Sequence, residues 1–111
     1  MIASVYGRLD IVKILIDEGV PLNDKNNNEW TALVYAIDEG YVGVVKELLD
    51  RGADLTYKLK KGWTPLMKAS SGSDLDIVKL LVDRGAPLND RNNYGETALG
   101  HASGWDINYL K

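Results

Sequence analysis

The sequence predicts an all-α fold, a solenoid of stacked helix-turn-helix pairs, in two full repeats flanked by partial ones. Three observations predict it. The chain of 111 residues matches itself at an offset of 33 throughout its length. A Thr recurs in phase at 31, 64 and 97, where first helices should begin, and each second helix carries an apolar stripe that ends at a Gly.

The register is read from aligned positions. Thr31, Thr64 and Thr97 align, as do Leu33, Leu66 and Leu99, and Ala3, Ala36, Ala69 and Ala102. The same step links Val12, Val45 and Val78, then Leu15, Leu48 and Leu81, then Gly19, Gly52 and Gly85. It divides the chain into a partial repeat over 1–24, repeats over 25–57 and 58–90, and a partial repeat over 91–111, all within one domain.

Each element has a local reason. In Thr64-Pro65-Leu66 the Thr is a good N-cap, and Pro at the first helical position loses no donor that a helix would use. In the second helices, Ile11, Val12, Leu15 and Ile16 form one stripe, repeated by Val44, Val45, Leu48, Leu49 and by Ile77, Val78, Leu81, Val82. Every stripe needs a neighbour to cover it. Gly19, Gly52 and Gly85 follow the last helical turn, where a left-handed residue commonly ends a helix, and Pro21 and Pro87 discourage a restart. The runs Asn23 to Asn28 and Asn89 to Gly95 are turn-forming. These two loops resemble each other more than either resembles Asp54 to Lys61.

At this period, Thr64-Pro65-Leu66-Met67-Lys68-Ala69 resembles the ankyrin signature Thr-Pro-Leu-His-x-Ala with one departure. The run Asp76 to Ala86 is similar to the second helix of that family and its Gly-Ala exit, and the likeness covers nearly every residue. Two departures matter. Val34, Met67 and Gly100 stand where the family usually has His, so that residue's hydrogen bonds do not carry over. Glu29 stands where the other two hairpins have Gly62 and Gly95, which implies either a differently shaped hairpin or backbone strain.

The chain enters partway through a first helix and breaks off near a second one, as expected of a fragment of a longer array; the other reading is an open edge that self-associates. No Cys is present, which excludes disulfides and thiolate metal sites and fits a reducing, cytoplasmic location. No apolar run has the length of a membrane span, and the first residues lack the basic head and apolar middle of a secretion signal. A net charge of -3 and a pI near 5.0 argue against nucleic acid.

Chemistry finds little support. His101 is the one histidine, and with Ser103 and Asp106 it could be drawn as a triad, but a triad rests on geometry and roles that nearness in sequence does not supply. No phosphate-binding Gly pattern occurs. Asp38 and Glu39 are adjacent, so on a helix they point in different directions, as a solvated helix end would have them. No enzymatic activity, cofactor or metal is expected.

The resemblance implies a concave platform of hairpin tips and first helices that holds a protein partner. By register it selects Asn27, Asn28, Trp30, Asp38 and Glu39 in the first full repeat, and Lys60, Lys61, Trp63, Ser71 and Gly72 in the next. The last repeat contributes Asn93, Tyr94, Glu96, Gly104 and Trp105. Trp30 and Trp63 carry most weight, since each precedes a capping Thr at a position where Glu96 stands in the last repeat, and a core position would not tolerate Glu. Exposed aromatic anchors often contribute about 2 kcal/mol or more. Charge along the selected surface changes sign, from Glu29, Asp38 and Glu39 to Lys58, Lys60, Lys61 and Lys68. A non-catalytic, monomeric protein-binding module is the leading expectation. The alternatives are an oligomerisation or spacer segment that pairs through an uncapped repeat, and the regulatory or substrate-recruiting part of a larger protein.

Overall fold

The computed structural model describes residues 9–72 and 74–101. Within this stretch all regular structure is helical, and the chain forms two compact units, Met1–Asp54 and Leu55–Lys111. The first unit contains α1 (Leu9–Asp17), α2 (Ala32–Glu39) and α3 (Val42–Asp50). The second contains α4 (Pro65–Ser71), α5 (Leu75–Asp83) and α6 (Ala98–His101), preceded by a tight turn at Lys60–Gly62.

Hydroxyl caps start the first helices as their sequences predict. Thr31 and Thr64 sit in extended backbone, and their Oγ1 atoms accept the N–H groups of Val34 at 3.4 Å and Met67 at 3.2 Å. Thr97 does the same for Gly100 at 3.2 Å. These bonds satisfy donors that no helical carbonyl can reach. The Val34 and Met67 side chains, at the position of the family's usual His, are fully buried in apolar surroundings.

The second helices all end alike. Gly52 N donates to Leu49 O at 3.1 Å and Ala53 N to Leu48 O at 2.9 Å, the paired bonds of a Schellman motif, with Gly52 at φ 99. Gly85 and Ala86 repeat the pair on Val82 and Leu81, and Gly19 and Val20 on Ile16 and Leu15. A left-handed residue is required there, which is why the three aligned glycines punctuate the chain.

In the first unit α2 packs on α3, and α1 packs on α3, second helix against second helix. Leu33, Val34, Ile37, Val44, Val45 and Leu48 form its core, each at most 4% exposed. In the second unit α4 packs on α5 and also on α6, first helix against first helix, around Leu66, Met67, Ile77, Val78 and Leu81. Burying a side chain of this size stabilises by about 1.5–3 kcal/mol, so the aligned apolar positions supply the driving force.

The stripe of α1 is covered less than its counterparts. Val12 is buried, but Leu15 is 40% exposed where Leu48 and Leu81 are 2% and 0%. A cleft of about 210 Å³ opens beside it, lined by Val12, Leu15, Ile16, Val20, Pro21 and Leu22 among others. Two further bonds close the first unit: Asn23 Oδ1 accepts Asp54 N at 2.8 Å, and Arg51 donates to Asp17 at 2.7 Å. Arg51 also pairs with Glu47 one turn earlier, at 2.9 Å. The bond to Asp17 raises the Arg51 pKa above its ordinary value.

Candidate functional site

The hairpins that should carry the site are closed by the same two backbone bonds. Asn26 N donates to Trp30 O and Glu29 N to Asn26 O; Leu59 N donates to Trp63 O and Gly62 N to Leu59 O; Asn92 N donates to Glu96 O and Gly95 N to Asn92 O. In the first and third hairpins an Asn side chain adds a clamp. Asn26 Oδ1 accepts Asn28 N at 2.9 Å and Trp30 N at 3.1 Å, and Asn92 Oδ1 accepts Tyr94 N at 2.9 Å and Glu96 N at 3.0 Å. The clamp turns the N–H of the tip residue inward, and Asn28 and Tyr94 keep negative φ.

The second hairpin has no such oxygen, because Leu59 occupies the Asn position. Lys61 adopts φ 64 and ψ 15, the left-handed region that a type II turn requires of its third residue. The expectation about Glu29 is therefore answered in one sense only. Glu29 lies at φ 63, close to Gly62 at 77 and Gly95 at 78, so it bears strain without changing the shape of its hairpin. The differently turned hairpin is the second, and its cause is the missing Asn side chain.

In the first unit, Asn27 and Asn28 are exposed at the tip, while Trp30 at its foot is half-buried. Its indole meets the Tyr35 ring edge-on, with centroids 4.9 Å apart at 66°, and the Tyr35 hydroxyl accepts Asn26 Nδ2 at 2.7 Å. Trp30 is thus tied to the clamp of its own hairpin. Asp38 and Glu39 are exposed in the last turn of α2, at the other end of the helix from Trp30.

In the second unit, Lys60 and Lys61 are exposed, Trp63 is half-buried and Ser71 is exposed at the end of α4. Asn93 N donates to Lys61 O at 2.7 Å, joining the second hairpin to the third. Lys61 Nζ lies 6.0 Å from the centroid of the Tyr94 ring, and Tyr94 is 64% exposed. Glu96 is exposed and accepts Asn92 Nδ2 at 2.7 Å. Trp105 and Gly104 lie outside the described residues, as do Ser103, Asp106 and the His101 side chain, so the arrangement drawn from His101, Ser103 and Asp106 is not visible.

Sequence reasoning selected the tips but not the residues that hold them. Asn26, Asn92 and Tyr35 are such residues, and the likeness of the first and third loops was the signal for the two Asn. Arg91, whose guanidinium donates to Gly95 O at 2.8 Å beside Tyr94, was also not selected. Among the described residues no cluster of His, Asp and Glu is arranged to hold a metal ion, and no helix is long and apolar enough to cross a membrane.

A family model of ankyrin repeats in three copies matches residues 1–59, and a second model of many ankyrin repeats matches residues 48–102. No curated protein matches the chain. Ankyrin repeats are generally protein–protein interaction modules, and domains built from them are typically non-catalytic. With its Thr-capped first helices, Schellman-ended second helices and two matching models, the chain belongs to the ankyrin repeat family.

Proposed function

We propose that the chain is a non-catalytic module that holds a protein partner on the face formed by its hairpin tips and first helices, the concave face of the family's platform. The observation that carries this reading is the contrast between neighbours at the hairpin feet. Thr31 and Thr64 are 3% and 1% exposed, whereas the residues before them, Trp30 and Trp63, stay solvent-accessible, and Glu96 at the third such position is exposed. Identity at the Thr position serves the helix; variation one residue earlier leaves room for recognition. A half-buried indole held by its own hairpin loses little freedom on binding, which favours it as an anchor.

The test is capture from native lysate by the wild-type chain and by the double variant Trp30→Ala, Trp63→Ala. The expected result is loss of the captured protein with helical circular dichroism retained. Unchanged capture by the folded double variant refutes the reading.

A second reading, self-association, is favoured by α1, where Ile14 and Leu15 are 60% and 40% exposed and Leu15 lines the largely apolar cleft. Light scattering after gel filtration decides it: a monomer at high concentration removes this reading, and a dimer lost on Leu15→Lys supports it.

A further inference from the structure

The second hairpin has an unusual charge for this chain. The protein carries a net charge of -3, yet the stretch from Tyr57 to Trp63 contains Lys58, Lys60 and Lys61 and no carboxylate. All three Lys are exposed, and among the described residues no ion pair engages them. The other two hairpins mix their signs, with Asp24, Lys25 and Glu29 in one and Asp90, Arg91 and Glu96 in the other. Solvated surfaces generally intersperse charge, so three unanswered cations on one loop mark it out.

The third hairpin adds to this surface. Arg91 is exposed and bonded to a backbone carbonyl rather than a carboxylate, and Tyr94 presents most of its ring to solvent beside Lys61. Of the nearby acids, Glu96 is engaged by Asn92, and Asp90 is half-buried. The surface is also rigid. Asn93 N and Lys61 O are 2.7 Å apart, Gly62 packs against Asn93, and Asn92 clamps the Tyr94 amide. Loop backbone already held in place loses less entropy when its side chains bind a partner. Lys61 keeps its place at left-handed φ, where Gly would be relaxed, so its charge comes at some expense of backbone energy.

We propose that the paired hairpins of the second unit dock an acidic, aromatic-containing segment of a protein partner. Carboxylates of that segment pair with Lys60, Lys61 and Arg91, and its aromatic side chain lies on the exposed ring of Tyr94. The inference rests on the reading of the chain as a protein-binding module and specifies its partner. A phosphate polymer fits less well, because its binding relies on many Lys and Arg acting together in a chain whose net charge is -3, and Tyr94 offers a single exposed ring for base stacking.

The probe is a fluorescein-labelled peptide of alternating Glu and Tyr, read by anisotropy with the full chain. Controls are the same peptide with Lys for Glu and a short single-stranded DNA. Lys61→Gly is the informative variant, since it removes the ammonium from a left-handed position that Gly adopts without strain, and Lys61→Asn, which also tolerates that position, checks that lost binding does not come from a loosened turn. The acidic peptide should bind the wild-type chain, and Lys60→Ser with Lys61→Gly should weaken it by about tenfold, with Tyr94→Ser weakening it severalfold. Both controls should bind at least about tenfold less well than the acidic peptide. Absence of acidic-peptide binding, indifference to the Lys variants, or equal binding of the DNA overturns the proposal. A partner captured from lysate through Trp30 and Trp63 but unaffected by the Lys variants would sink this inference alone. Failure of capture by the wild-type chain would sink the module reading instead.

Discussion

Gly62 faces Asn93 so closely that a Cβ on Gly62 would stand 2.9 Å from Asn93 Oδ1 and 3.2 Å from its backbone nitrogen. That nitrogen makes the 2.7 Å bond to Lys61 O which joins the second and third hairpins. A methyl group here must push on backbone as well as side chain. Gly95, at nearly the same φ, would place a Cβ within 4 Å of nothing.

Gly62→Ala should therefore cost about 2 kcal/mol, adding a weakened hydrogen bond to left-handed strain, whereas Gly95→Ala should cost about 1 kcal/mol from strain alone. Urea denaturation of the two variants measures the difference. Equal losses would show that the join between hairpins contributes nothing to stability.

Glu29 provides the reverse experiment. It holds φ 63 in a hairpin otherwise built like the third, so Glu29→Gly should raise stability by about 0.5–1 kcal/mol after the entropy of the more flexible unfolded chain is allowed for. The denaturation midpoint should rise without a change in slope. A fall would mean that the Glu29 side chain contributes more than its backbone costs.

Much of this fold was legible because its rules are local. A hydroxyl before a helix, a Gly after one and an apolar stripe between them each act within a few residues, and at Thr31, Thr64, Gly52 and Leu48 the letters named the structure. The hairpins were less legible. Lys60-Lys61-Gly62 reads as a turn of any type, and the left-handed Lys61 follows from an oxygen that Leu59 lacks. The state of Trp30 was also hidden, because its burial depends on the Tyr35 ring, which repeat spacing does not bring into view.

The clamp itself can be tested at Asn92, which is 5% exposed and accepts two backbone N–H groups. Asn92→Ala leaves both donors without this acceptor in a partly buried turn, and should lose about 2–3 kcal/mol. The same change should weaken the acidic peptide, because Tyr94 loses the bond that fixes its amide. Hydrogen exchange at Tyr94 and Glu96 checks the cause: both amides should lose protection in the variant, and unchanged exchange would contradict the clamp.

Leu15, Leu48 and Leu81 share a register position but not an environment, and truncating each to Ala separates the two. Leu48 and Leu81 are 2% and 0% exposed, so Leu48→Ala and Leu81→Ala should each cost about 2–5 kcal/mol, the range for a buried Leu that leaves a cavity. Leu15 is 40% exposed and borders an open cleft, so its truncation removes fewer contacts and leaves no closed void. Leu15→Ala should cost less than about 1.5 kcal/mol at low protein concentration, where only intramolecular burial counts. If α1 pairs with a second copy, that cost should grow as concentration rises, since association stabilises the folded state by mass action. A Leu15→Ala loss as large as that of Leu48→Ala, independent of concentration, would mean that this side chain is covered in solution.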